Sequence, residues 1–84
     1  MKYITFEGAC DYAVVFPDYI EHSDIAKKID AKIIGAGFVS IGENSVAPYS
    51  KSESLQIGPD KMDQFLLNYL FGYCNSFRIG YVIA

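Results

Sequence analysis

Residues 2 to 6 and 11 to 16 are two short runs of aromatic and β-branched residues, separated by Glu7-Gly8-Ala9-Cys10. This pattern predicts a β-hairpin. In the second run Tyr12, Val14 and Phe16 fall on one face and Ala13 and Val15 on the other, so both faces of the strand are expected to be at least partly covered. Pro17 ends it, because proline has no N–H to give to the ladder.

Residues 20 to 29 change period. Ile25 and Ile29 lie on one helical stripe, with Lys27 and Lys28 on the opposite side. Two starts compete for this helix. Ser23 is the better capping side chain. A start at Glu21 instead places Ile20 and Ile25 as a hydrophobic staple and Asp24 at the third helical position. Either start puts acidic residues at the positive end of the helix dipole.

The longest strand is expected over residues 32 to 42. Ile34, Ala36 and Phe38 share one face, and Ile33, Gly35, Gly37, Val39 and Ile41 share the other, which predicts a central strand. The small step Gly35-Ala36-Gly37 implies a bulge or the close approach of a helix. Gly42-Glu43-Asn44-Ser45 is turn chemistry, and a partner strand follows over residues 46 to 49. Pro48 places that partner at an edge.

A tract rich in hydroxyls, Tyr49-Ser50-Lys51-Ser52-Glu53-Ser54-Leu55, then interrupts the apolar pattern. Gly58-Pro59-Asp60 begins a second helix, predicted over residues 59 to 71, with Pro59 in its first turn and Asp60 and Asp63 favoured by the dipole. Met62, Phe65, Leu66, Tyr69, Leu70 and Tyr73 recur at helical spacing and are the expected core stripe. Gly72 can stop the helix. Residues 77 to 84 read as a last strand, which either joins the domain's own sheet or pairs with another copy of the chain through Phe77, Ile79, Tyr81 and Ile83.

The fold expected is α+β, in the order ββαββα with a C-terminal strand, as a mostly antiparallel sheet packed by two helices. The 84 residues form one domain, with residues 72 to 84 as an extension. Half the composition is apolar, enough to favour a folded chain over a disordered one. The net charge of −3 and dispersed basic residues lack the footprint of a nucleic-acid binder, and ten scattered acids are too few to imitate DNA. No apolar run has the length of a membrane span, and Glu7 interrupts the N-terminal stretch that a signal peptide would need. A cytoplasmic protein is expected.

Catalytic chemistry finds little support. Cys10 and Cys74 lack metal-ligand spacing and read as reduced thiols. No cofactor or metal is expected, and the chain is not expected to be an enzyme. His22, the only histidine, reads as a solvated residue at a helix end. Gly35-Ala36-Gly37 lacks the third glycine and the following helix of a phosphate loop. Lys51 and its flanking serines would need an unusual turn to act as a catalytic dyad. The tract is either a partner-binding loop or a self-ordering one, in which Ser52 or Ser54 bonds nearby backbone and Lys51 and Glu53 are solvated. Seven tyrosines exceed what a small core hides, which favours an interface.

Phe16-Pro17, His22, Ala36-Gly37-Phe38-Val39, Tyr49 and Lys51-Ser52-Glu53-Ser54-Leu55 together resemble a family of small uncharacterised phage and prophage proteins, over about residues 12 to 70. Ser50 and Gln56 stand where that pattern usually carries glycine. The resemblance implies a phage-related origin and an accessory role, with no reaction attached. The candidate binding residues are Tyr49, Lys51, Ser52, Glu53, Ser54 and His22. The expected partner is a host or phage protein, such as a component of host defence. The alternatives are a homodimer through the last strand and a small-ligand or nucleotide binder using Lys51 and the hydroxyls.

Overall fold

A computed structural model describes residues 1 to 43, 46 to 71 and 80 to 82. The strands are β1 (Lys2–Phe6), β2 (Tyr12–Phe16), β3 (Ile33–Ile41), β4 (Val46–Tyr49) and β5 (Gly80–Val82), and the helices are α1 (His22–Lys28) and α2 (Asp63–Phe71). They form an α+β domain around a sheet ordered β4-β3-β1-β2-β5. The first four strands pair antiparallel with one another, whereas β5 runs parallel to β2.

Both faces of the sheet are covered, which explains why β1 and β2 are apolar on both sides. Tyr3, Ala13, Val15, Val39 and Val46 pack against Leu66, Leu67 and Leu70 of α2. The alternate positions Ile4, Phe6, Val14, Phe16 and Ala36 pack against Ile25 of α1, with Leu55 and Ile57 partly buried beside them. A hairpin alone could not bury such strands; one helix on each face does.

The Gly35-Ala36-Gly37 step meets both of its expectations. Thr5 pairs with Gly35 and Phe6 with Ile33, so Ile34 is the extra residue of a bulge in β3. Beyond it, the missing side chain of Gly35 is filled by Asp63 from the start of α2. The ring of Tyr3 similarly lies over Gly37, its cross-strand partner.

Helix α1 takes the Glu21 start. Glu21 is the N-cap and makes no side-chain capping bond, and Asp24 occupies the third helical position with its N–H on the Glu21 carbonyl at 3.1 Å. Ser23 is therefore inside the helix rather than its cap. Lys27 and Lys28 face solvent as expected.

Helix α2 departs from its expected start and face. Pro59 precedes it, and Asp60 and Asp63 form a reciprocal cap: Met62 N donates to Asp60 Oδ2 (3.1 Å) and Asp60 N to Asp63 Oδ2 (2.8 Å). Leu66 and Leu70 are buried as expected, but Met62 and Phe65 are 50% and 46% exposed. The buried stripe is Asp63, Leu66, Leu67 and Leu70, with Asn68 beside it. Leu66 and Leu70 fit either stripe, and the polar Asp63 disguised the correct one. Its burial is offset by donors from β1, Tyr3 and Thr5, and by Asp60 N. Tyr73 and the side chain of Tyr69 fall outside what the structure describes.

The edge position of β4 holds, and its outer side is blocked twice. Ala47 and Tyr49 alternate with Val46 and Pro48, whose backbone faces away from β3. Pro48 has no N–H, and the Val46 N–H is held by Asn68 Oδ1 at 3.0 Å. At the opposite edge β5 joins the domain's own sheet. Phe77, Ile79 and Ile83, also expected in that strand, and Cys74 lie outside the described residues.

Candidate functional site

The hydroxyl-rich tract leaves the edge strand and returns beneath α1 as an anchored loop. Ser52 N donates to Ile57 O at 2.8 Å in an isolated antiparallel bridge, and Ser52 Oγ accepts the Leu55 N–H at 3.2 Å. Gln56 Nε2 donates to Glu53 O at 2.7 Å. Ala36 N, on the stretch of β3 beyond β4, donates to Gly58 O at 3.2 Å and fixes the far end. Half-buried Leu55 and Ile57 pin the loop to the core.

The loop bends at both ends through left-handed backbone, with φ of 57° at Ser50 and 56° at Gln56. The backbone thus takes a shape that glycine adopts without steric cost, while side chains occupy both bends. The neighbouring bonds hold it there.

This geometry sorts the candidate residues. Ser52 is fully buried and its hydroxyl closes the loop, so it is an ordering residue and not a contact for a partner. Ser54 is exposed, and its Oγ accepts the Ser23 N–H of α1 at 3.2 Å. Lys51, Glu53 and Gln56 point to solvent. Tyr49 is half exposed and lies tilted against Phe38, with ring centroids 5.7 Å apart. The surface left for a partner is Tyr49, Lys51, Glu53 and the adjoining Gln56.

His22 overturns its reading as a solvated residue. It is buried, its Nε2 lies 2.8 Å from Gly37 O, and its ring meets Phe16 and Phe38 edge-on at 5.4 and 5.7 Å. Burial is the main cause that lowers its pKa, opposed by the Gly37 bond. The charge of Lys2 lowers it further. It is therefore no surface contact for a partner. Its nearest structural role is to hold α1 against β3.

Lys2 belongs to the same face. A row runs across four strands as Tyr49, Phe38, Lys2 and Phe16, each opposite the next. The Lys2 ammonium donates to Ile20 O at 2.9 Å, lies 3.8 Å from Glu21 Oε1 and sits 6.0 Å from the Phe38 ring centroid. These contacts explain how a lysine in β1 can be almost fully covered.

On the other face, Asp63 is a fully buried acid that the sequence reading treated only as a dipole partner. Tyr3 OH donates to its Oδ2 at 2.6 Å, and Thr5 Oγ1 to its Oδ1 at 2.8 Å. Tyr3 is held well above the usual phenol range, first by burial and then by the Asp63 bond. A signal existed in the chain: Tyr3 and Thr5 put two hydroxyls on one face of β1, and buried hydroxyls need partners. The network ties α2 to β1 and to its own cap.

Among the described residues there is no pocket and no cluster of potential metal ligands, and no helix is long and apolar enough to cross a membrane. No protein-family model, curated protein or solved structure matches the chain.

Proposed function

We propose that this chain is a small non-enzymatic accessory protein, of phage or prophage origin, that works in the cytoplasm by binding a bacterial protein such as a component of host defence. The observation that carries the binding reading is the loop from Ser50 to Gln56. Its backbone is ordered by its own hydroxyls and bent through left-handed residues at both ends, and it directs Lys51 and Glu53 outward beside the half-exposed Tyr49. Left-handed side-chain-bearing residues concentrate where a backbone shape is used. A preordered loop also loses little entropy on binding. The origin rests on the resemblance alone.

The test is a pull-down from host lysate with the wild-type chain and a Tyr49→Ala, Lys51→Ala, Glu53→Ala triple variant, both checked for fold by circular dichroism. A host protein retained by the first and lost by the second is expected. Equal retention by both, or retention by neither, would sink the proposal.

A second reading is self-association through the last strand. It is favoured by the blocked outer side of β4, which leaves strand addition to the β5 end of the sheet. Sedimentation of the full chain against a truncation after Gly72 checks it: a dimer that the truncation abolishes supports the reading, and a monomeric full chain ends it. The small-ligand reading loses ground, because Ser52 is buried and the oxygens of Ser52 and Ser54 already accept backbone N–H groups.

A further inference from the structure

We propose that His22 is an acid-released latch that couples the start of α1 to the shape of the Ser50–Gln56 loop, so that the loop is held in one form at neutral pH and loosened in acid. The proposal rests on the loop being the binding surface, and it deepens that reading by naming how the surface is regulated.

Two neighbouring residues of α1 reach the loop by separate routes. Ser23 does so directly, through its N–H on Ser54 Oγ in the middle of the tract. His22 does so through β3, since its Nε2 bonds the Gly37 carbonyl. Gly37 lies directly against the chain entering the loop: a Cβ there would sit 2.7 Å from Ser50 O and 2.9 Å from Tyr49 O. The far end of the loop is fixed to the next residue of the same strand, through Ala36 N and Gly58 O. Displacing the first turn of α1 therefore removes the Ser54 contact directly, and removes the His22 bond from the strand position against which the loop's start packs.

Protonation supplies the displacement. Neutral imidazole can donate from Nε2 to Gly37 and needs no second acceptor. Imidazolium adds a second N–H and a full charge inside a site walled by Phe16 and Phe38. The charged groups that face the ring are Lys2 from β1, which opposes protonation, and Glu21 beside it at the start of α1, which favours it. From β2 and β3 the facing groups are the two phenylalanines and the Gly37 carbonyl, none of which titrates. Burial and Lys2 together outweigh Glu21 and the Gly37 bond, so the ring loses its proton more readily than free histidine.

The test is nuclear magnetic resonance of the isolated full chain, without any partner, from pH 7.5 to 5. The His22 ring is followed alongside the backbone amides and their hydrogen exchange. The expected result is a ring midpoint below 6.5, with the amides of Ser23, Ser52 and Leu55 shifting and losing protection at that same midpoint. In His22→Gln, which can still donate to Gly37 but does not titrate in this range, those amide changes should vanish. If that variant does not fold, the coincidence of midpoints in the wild type decides the matter alone. A ring that titrates while the loop amides stay still overturns the latch, as does loop titration that persists in His22→Gln. Because no partner is present, failure here leaves the pull-down result intact, and failure of the pull-down leaves this result intact.

Discussion

Gly35 of β3 and Asp63 of α2 occupy one site: a Cβ on Gly35 would overlap the Asp63 carboxylate and lie 2.9 Å from Asp60 N. Gly35→Ala is therefore expected to push α2 off the sheet or break its cap, at a cost of about 1–3 kcal/mol. Urea denaturation measures the loss. Combined with Tyr3→Phe the effect should be non-additive, because both changes act on one carboxylate.

Removing the acid should cost more than crowding it. Asp63→Ala strands Tyr3 OH and Asp60 N, while Thr5 Oγ1 can turn to Gly35 O at 3.2 Å, and each unpaired buried donor costs about 1–3 kcal/mol. A domain of this size has roughly 4–13 kcal/mol in total. The variant should therefore lose about 2–6 kcal/mol in urea denaturation, a large share of that total. Tyr3→Phe, which removes a single bond to the carboxylate, should remain folded and lose about 1.5–3 kcal/mol.

Two apolar residues of α2 should behave in opposite ways. Leu67 is fully buried, whereas Phe65 is 46% exposed. Leu67→Ala should cost about 2–5 kcal/mol. Phe65→Ala should cost less than half of that, and thermal melts of the two variants give the comparison.

Stability should fall in mild acid through His22. Its folded pKa lies below the ordinary histidine value of about 6.5, so the unfolded chain takes up the proton first. The contribution of the neutral ring is complete above pH 6.5 and is lost as the pH drops below it toward the lowered folded value. The urea midpoint of the wild type should therefore decline between pH 7 and 5 more steeply than that of His22→Gln.

Ser50 and Gln56 offer a case in which glycine should help. A side chain in left-handed backbone costs about 1–2 kcal/mol, and glycine returns roughly 0.5–1 kcal/mol of that as unfolded-state entropy. Ser50→Gly should leave stability unchanged or raise it by up to about 1 kcal/mol, as read from the thermal midpoint. A clear loss would mean that the Ser50 side chain, not only its backbone shape, orders the loop.

Most of the fold was readable from local pattern. The apolar alternation of β1 to β3 and the edge position of β4 marked by Pro48 follow from one or a few adjacent residues, whereas local signals left α1 two starts, at Glu21 and at Ser23, and the fold took the first. For the tract the sequence left a partner-binding loop and a self-ordering one open; Ser52 bonds the nearby Leu55 N–H and Lys51 and Glu53 are exposed, as the second requires. Such features need no knowledge of what lies across the sheet.

The face of α2, the burial of His22 and the role of Asp63 were not readable in this way. Each depends on a partner distant in sequence: Asp63 on Tyr3 and Thr5, His22 on Gly37 and Phe38, Asn68 on Val46. A polar side chain announces its preference for water, and only a donor or acceptor brought to it by the folded sheet reverses that preference. The sequence by itself determined which segments become strands, helices and an ordered loop, because backbone propensity and period are local. The tertiary structure alone decided which polar groups are buried, because their desolvation is offset only by partners that the fold delivers.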